Sequence, residues 1–138
     1  MNITSLIKDN ISEILMLLIK FTQARQKIII QNIVNINACE YIPRELEVDE
    51  FSYLLNNAID EHIRTNRLVL FDTENIKFGM NGNFHAMPVE DEESHAILKD
   101  NKEQYIELQI NKLWENSLNQ KVAAELLKQQ ENVFYDSY

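Results

Sequence analysis

The chain has 138 residues, a net charge of −9 and a single cysteine, Cys39. This length predicts one domain. The acidic balance argues against sequence-independent binding to nucleic acid or anionic lipid, which requires clusters of Lys and Arg. One cysteine excludes an intramolecular disulfide and a metal site built from several cysteines. Only two glycines and two prolines are present, which disfavours a many-stranded sandwich and favours helices.

Residues 2–36 are predicted to form one long helix, because apolar side chains recur at steps of three and four, close to the spacing of a coiled-coil seam. The longest apolar run within it, Ile14–Ile19, is far too short to span a bilayer, and no cleaved secretory leader is expected. Arg25 interrupts the stripe. A single helix cannot bury its own stripe, so a partner helix is required. The stripe consists of Ile3, Ile7, Ile11, Ile14, Leu18, Phe21, Ile28 or Ile29, and Ile33.

A second helical stripe runs from about Lys102 to Phe134, among residues of high helix propensity. Asp100 or Asn101 is the expected N-cap. We expect the two terminal stripes to pair with each other or with other copies of the chain, with Trp114 in helix–helix packing. The apolar positions of this second stripe are Tyr105 or Ile106, Ile110, Leu113, Trp114, Leu118, Val122, Leu126 and Leu127.

The middle of the chain, residues 38–100, has a different character. A shorter amphipathic helix is predicted in its first half, with one apolar face made of Phe51, Leu54, Leu55, Ile59 and Ile63.

The second half of the middle, from Arg67 to Met87, predicts a short β-hairpin with Asn81-Gly82 as its turn. Met80 and Met87 are expected to fill gaps beside this hairpin. The polar, acidic stretch Pro88–Ala96 is interpreted as a mobile linker.

The predicted architecture is therefore a mainly α single domain. It has an N-terminal helix (1–37), a variable middle (38–100, with the acidic linker at 88–96) and a C-terminal helix (101–138).

Side chains that carry chemistry are sparse. Glu92 and His95 have a spacing found in di-metal helix bundles, but only one such pair is present, so a solvated loop is expected. The run Glu90–Glu93 lacks the ligand spacing and turn glycine of a calcium loop. Cys39 is expected to be a small, buried or half-buried apolar residue, and two glycines cannot make a phosphate-binding loop. We expect no metal, no cofactor and no catalytic residue.

The unusual feature is the stretch RQKIIIQNIVNINACEY, Arg25–Tyr41, which ends an apolar helix in three asparagines. Asparagine is a poor residue for a helix interior. A helix C-cap at Asn35 or Asn37 explains one of them. Amides donate and accept without charge, so we expect Asn32, Asn35 and Asn116 to fix register at a helix–helix or subunit contact.

The same stretch resembles the N-terminal signature of flagellar axial proteins, in the form found in proximal-rod subunits. The C-terminal sequence YIELQINKLWENSL is similar to that family's second motif, most clearly at Glu115, Asn116, Ser117 and Leu118. Ala38-Cys39-Glu40 stands where the family has Thr-Pro-Gly. The matching N-terminal residues are Arg25, Gln26, Asn32, Ile33, Asn35, Asn37 and Tyr41.

The resemblance implies a structural subunit of the bacterial flagellar basal-body rod, without enzymatic activity. Such subunits leave the cytoplasm by type III export and polymerise in the periplasm with copies of themselves and other rod proteins. They contact adapter and membrane-ring proteins and bind no nucleic acid. The resemblance also implies that the two terminal helices pair as an antiparallel coiled coil, and it places the assembly interface on the matching residues and on Leu113 and Trp114. The alternative is a soluble α-helical adaptor or regulator that binds a partner through its N-terminal helix.

Overall fold

The computed structural model describes residues 3–79 and 83–136, with side chains for 10–79 and 83–132. Within these ranges lie four helices: α1 (Ile3–Val34), α2 (Val48–Thr65), α3 (Glu92–Asp100) and α4 (Lys102–Asp136). The four strands are short: β1 (Arg44–Glu45), β2 (Ile76–Lys77), β3 (His85–Ala86) and β4 (Val89–Glu90). Helix makes up 69% of the chain, which confirms the mainly α prediction.

The two long helices α1 and α4 pack against each other, as predicted. Tyr105, near the start of α4, bonds to Asn32 near the end of α1. Asn116, further along α4, bonds to Thr22, which lies ten residues earlier in α1. The helices are therefore antiparallel. Asn101 lies between α3 and α4 in extended conformation and its side chain accepts the Gln104 N–H at 3.1 Å. Asn101 is thus the N-cap of α4.

The apolar core lies on the other side of α1, against α2 and the β2–β3 hairpin. Phe51 of α2 is at its centre. Its ring is parallel to that of Phe21, with the two ring centroids 4.0 Å apart, and meets the edge of Phe84 at 5.8 Å. The buried members of this core are Ile14, Leu17, Phe21, Leu46, Phe51, Leu54, Leu55, Ala58, Ile76 and Phe78.

The packed face of α2 ends differently from the prediction. Phe51, Leu54 and Leu55 are buried as expected, but Ile63 is 74% exposed and His62 is buried in its place. Successive helix positions are about 100° apart, and His62, four residues after Ala58, stays on the packed face. The helix stops at Asn66, which has a left-handed φ of 60° and donates its N–H to His62 O at 2.8 Å.

The predicted hairpin is confirmed. Strands β2 and β3 are antiparallel, with Ile76 opposite Ala86 and Lys77 opposite His85. The turn predicted at Asn81-Gly82 and the role predicted for Met80 lie outside the described residues. Met87 is exposed rather than packed in a gap, so that expectation is wrong.

The interpretation of Pro88–Ala96 as a mobile linker is wrong. Val89–Glu90 is strand β4, which pairs antiparallel with β1, and α3 begins at Glu92. Asp91 caps this helix, because its Oδ1 accepts the Ser94 N–H at 3.1 Å. The acidic residues Glu92 and Glu93 then lie in the first turn, where negative charge stabilises a helix. The acidic residues that led to the prediction of a mobile linker therefore form the start of a helix.

Of the apolar positions expected on α4, Tyr105 is buried against α1, but five others are exposed, so the stripe as a whole does not form the contact with α1 within the chain. Trp114 is 75% exposed. Nine residues, or two and a half helical turns, separate Trp114 from both Tyr105 and Ala123, which are fully buried. The two faces of α4 are therefore opposite each other. Among the α4 side chains that the structure describes, the exposed large apolar residues are Ile110, Trp114, Leu118, Val122 and Leu126.

Candidate functional site

A set of hydrogen-bonded and ionic side chains fills the space where α1, β1, the start of α3 and α4 meet. We call it the polar seam. None of the buried side-chain nitrogen or oxygen atoms among the described residues lacks a hydrogen-bond partner. The polar seam consists of Arg25, Asn32, Tyr41, Glu45, Asp91, Ser94, Tyr105, Gln109, Lys112 and Asn116.

Asn32 is the centre of the polar seam and is 1% exposed. Its Oδ1 accepts from the Tyr41 hydroxyl at 2.8 Å and from the Arg44 N–H at 3.1 Å. Its Nδ2 donates to Arg44 O at 2.8 Å and to Gln109 Oε1 at 3.2 Å. A side-chain amide has two donors and one doubly accepting oxygen, so this residue makes all four of its bonds. No apolar side chain could replace them.

A tight turn brings Tyr41 back onto α1. The Ala38 N–H donates to Asn35 O at 3.0 Å and the Tyr41 N–H to Ala38 O at 3.3 Å. Glu40 has a left-handed φ of 57°, a conformation in which only glycine escapes a steric cost. Burial raises the pKa of the Tyr41 phenol, although the nearby Arg44 charge opposes it. The phenol therefore remains a neutral donor to Asn32.

Two neutral side chains of α4 form hydrogen bonds with the end of α1. The Tyr105 hydroxyl donates to Asn32 O at 2.8 Å, while Gln109 joins the Asn32 amide to α3 by donating to Ser94 Oγ at 3.1 Å. Burial raises the pKa of the Tyr105 phenol, and Tyr41 and Asp91 raise it further. Tyr105 is consequently protonated whenever the chain is folded near neutral pH.

The other half of the polar seam is ionic. Arg25 is 6% exposed and makes two hydrogen bonds of 3.1 Å to the two Glu45 oxygens. Lys112 joins Glu45 at 3.3 Å to Asp91 at 2.8 Å. Two cations thus meet two carboxylates, which is the condition for burying charge without a large penalty. Arg25 interrupts the apolar stripe of α1 because it serves this network.

Asp91 connects the ionic and neutral halves. Besides capping α3, its Oδ2 accepts from the Ser94 hydroxyl at 2.6 Å and from Lys112 Nζ. Partial burial alone would raise the pKa of the Asp91 carboxyl. The hydrogen bonds from Lys112 and Ser94 outweigh burial and hold that pKa below its ordinary value of 3.8.

Asn116 forms a second, separate link between the long helices. It is 1% exposed and its Nδ2 donates to Thr22 O at 2.7 Å. The Thr22 hydroxyl is turned back to Ile19 O at 2.8 Å. Two amides, Asn32 and Asn116, therefore hold α4 to α1 about ten residues apart along α1.

The remaining residues singled out in the sequence are more peripheral. Asn35 donates to Gln31 O of its own helix at 2.9 Å, and the exposed Asn37 accepts from Lys102 at 3.1 Å. Neither adopts the left-handed C-cap conformation expected of one of them; in this turn Glu40 does. Of the other residues predicted at the assembly interface, Gln26, Ile33 and Leu113 are half-buried, and Trp114, Glu115 and Leu118 are exposed.

Several residues of the polar seam were missed by the sequence interpretation. Gln109 was missed, although it lies four residues after Tyr105 and seven before Asn116, a polar repeat along α4 that a search for apolar residues alone discards. Asp91 and Ser94 could have been found as a capping pair, since an Asp followed three residues later by a backbone donor is typical of a helix N-terminus. Nothing in the sequence identifies the partners Glu45 and Lys112.

No arrangement in the described part of the chain brings three or more His, Cys, Asp or Glu side chains together as metal ligands. Cys39 is exposed, so the expectation that it is buried is wrong. It lines an open cavity of about 350 Å³ that also contacts Tyr41, His95 and Lys102.

Comparison with known protein families, with curated proteins and with solved structures yielded no significant match. Among the described helices, none combines the length and the apolar character needed to cross a membrane.

Proposed function

We propose that the chain is a non-enzymatic structural subunit of the bacterial flagellar basal-body rod. In this proposal it leaves the cytoplasm by type III export and polymerises in the periplasm with copies of itself, other rod subunits and the adapter and membrane-ring proteins. The resemblance of its two terminal segments to flagellar axial proteins is the starting point for this proposal.

The observation that carries the proposal is the meeting of the two motif segments. Asn32 and Tyr41 of the N-terminal motif bond to each other, and α4, which holds the C-terminal motif, bonds to Asn32 through Gln109. Asn116 of the second motif bonds to Thr22 of α1. Motif residues more than 70 positions apart thus form one antiparallel unit, the arrangement that the resemblance implies.

The turn before Tyr41 supports the proposal at the place where the chain departs from the family pattern. The family has glycine immediately before this tyrosine, and this chain has Glu40. Glu40 nevertheless adopts a φ of 57°, the left-handed conformation typical of glycine. The backbone geometry that glycine favours is therefore kept although the glycine is not.

The exposed stripe of α4 supports polymerisation as the mechanism. Five large apolar side chains of α4, from Ile110 to Leu126, are exposed, and three of them, Ile110, Trp114 and Leu118, lie on the face opposite Tyr105 and Ala123. Exposed apolar surfaces of this kind mark contacts with other proteins. At roughly 25 cal/mol per Å² of apolar surface, burying such a stripe against a neighbouring subunit favours association, before ordering costs are subtracted.

The alternative of an adaptor that binds its partner through α1 has less support. The apolar side chains of α1 face α2 and the hairpin on one side, and α4 covers another side. Val34, at the end of the helix, is the most exposed large apolar residue of α1 among those described. A partner that needs a continuous apolar surface would find it on α4 instead.

Deletion of the gene in its source bacterium tests the proposal. We expect non-motile cells whose basal bodies lack a complete rod, restored by the wild-type chain and by Asn35→Leu, which alters a half-exposed amide. Asn32→Leu, which removes the buried amide, should restore poorly. Normal swimming and intact rods in the deletion strain would overturn the proposal.

A further inference from the structure

The outer face of α4 combines an apolar centre with carboxylates. Ile110, Trp114 and Leu118 are exposed at steps of four, and the exposed Glu103 and Glu107 precede them on the same face. We call these five residues the α4 outer face. It has no partner within the described chain, and an exposed tryptophan is among the residues that most often anchor protein interfaces.

A groove on the opposite side of the molecule has the complementary character. It is a cavity of about 380 Å³ between α1 and β3, lined by the apolar Leu46 and Phe84. The basic side chains of Lys20, Lys27 and His85 also line it, and none of the described residues that line it is Asp or Glu. In a chain whose net charge is −9, an acid-free basic groove is a local reversal of sign. We call it the α1–hairpin groove.

The two surfaces also match in length. The α1 residues of the groove extend from Lys20 to Gln31, which is eleven steps along a helix, or about 17 Å. Four of the five residues of the α4 outer face, from Glu107 to Leu118, span the same eleven steps, and Glu103 lies one turn beyond them. A helix that lays an apolar stripe into a groove of similar length, with charges of opposite sign on the two surfaces, is a common recognition mode.

We propose that the α4 outer face of one copy binds the α1–hairpin groove of a second copy. This inference rests on the proposed function and identifies which surfaces join neighbouring subunits. Because the two surfaces are different patches on the same chain, the contact is heterologous. Each copy keeps one unused face and one unused groove, so the association is open-ended unless the rotation between copies closes a ring.

A charge swap tests this contact. One variant carries Lys27→Glu and His85→Glu in the groove, and the other carries Glu103→Lys and Glu107→Lys on α4. Each variant alone sets like charges against each other and should remain monomeric at concentrations where the wild type associates in sedimentation velocity. An equimolar mixture restores opposite charges at both contacts and should associate again.

Trp114 provides an independent readout, because it is the only tryptophan of the chain. Its emission should shift to shorter wavelength as wild-type concentration rises and the indole enters the groove. The shift should be absent in each charge variant and return in the mixture. Asp60→Lys with Glu74→Lys, at exposed positions that belong neither to the groove lining nor to the α4 outer face, changes the net charge by the same amount as the α4 variant. This control should associate and shift like the wild type.

Three results would overturn the inference: a wild type that stays monomeric, a single variant that associates normally, or a mixture that does not recover. Circular dichroism melting of each variant excludes unfolding as the cause of lost association. The rod proposal fails separately, through the deletion strain. If the deletion strain lacks a complete rod but the charge variants associate like the wild type, the proposed function stands and this contact is wrong.

Discussion

The two sides of α1 are held by different interactions. On one side, Phe21 packs on Phe51 in an apolar core shared with α2 and the hairpin. On the other side, Asn32 and Arg25 meet α4 and the strands through hydrogen bonds and ion pairs. Apolar packing is non-directional, whereas an amide with four partners is satisfied in one alignment. The apolar side supplies the larger share of the stability, and the polar side supplies the register.

Phe51→Ala should cause the largest loss of unfolding free energy, and it should disturb only the apolar side of α1. Removing a buried aromatic side chain costs about 3–5 kcal/mol of unfolding free energy, through lost burial and a residual cavity. Urea unfolding measures the change. Tyr53→Ala, at an exposed position of the same helix, should change stability by no more than about 0.5 kcal/mol. Equal effects of the two changes would contradict the assignment of Phe51 to the core centre.

Asn32→Leu should cost about 3 kcal/mol of unfolding free energy, because it removes the partner of the Tyr41 hydroxyl, of the Arg44 backbone and of the buried Gln109 Oε1. Asn35→Leu removes one bond to its own helix and should have little effect. Urea unfolding of the two variants side by side checks this difference. A loss below about 1 kcal/mol for Asn32→Leu would mean that water or rearrangement satisfies these groups.

Asp91→Asn sharpens the comparison through pH. The folded pKa of Asp91 lies below its ordinary 3.8, so its charge stabilises the folded chain above that pH. This contribution disappears as pH falls through the folded pKa. The wild type should lose stability below about pH 4, and the variant should show a flatter curve there. At pH 7 we expect a loss of about 1 kcal/mol, since asparagine still caps α3.

Thermal unfolding between pH 2 and pH 7 measures both quantities. Lys112→Gln should flatten the same acid range, because it removes a hydrogen bond that lowers the Asp91 pKa. A variant curve parallel to that of the wild type would show that Asp91 does not carry the acid sensitivity of the polar side.

Glu40→Gly should cause the smallest change in unfolding free energy, and this change should be stabilising. Glycine removes the steric strain of the left-handed conformation at φ 57°. It also raises the conformational entropy of the unfolded chain, which opposes this effect, so we expect the unfolding free energy to increase by only about 0.5 kcal/mol. Asn66→Gly, at φ 60°, is the matched control. Asparagine tolerates this conformation, so that variant should show less gain. Differential scanning calorimetry resolves the two, and destabilisation by Glu40→Gly would contradict the strain argument.

The apolar side was largely predictable from the sequence, whereas on the polar side the sequence singled out Asn32 and Asn116 but not their partners. A stripe containing Ile14 and Phe21 and a face containing Phe51 follow from helical periodicity alone. Periodicity assumes, however, that the apolar face of each helix is the one buried within the chain. In α4 that assumption fails, because Tyr105, Gln109 and Asn116 face α1 and the apolar stripe faces outward.

The acidic segment shows a second limit. Composition alone does not distinguish a solvated acidic run from the capped first turn of a helix. The distinction depends on the Asp91 carboxylate reaching Ser94 and Lys112, and Lys112 lies 21 positions away. The asparagines were correctly singled out as unusual, but only the partners from other elements reveal why Asn32 is buried and Asn37 is exposed.

The four bonds of the Asn32 side chain differ in how far they reach along the chain. Those to Tyr41 and Arg44 span 9 and 12 positions, and the one to Gln109 spans 77. Closing the longer loop costs about 2 kcal/mol more in chain entropy, and distant contacts form slowly. During folding we therefore expect Tyr41 and Arg44 to position the Asn32 amide first, so that α4 docks last onto acceptors and donors already in place.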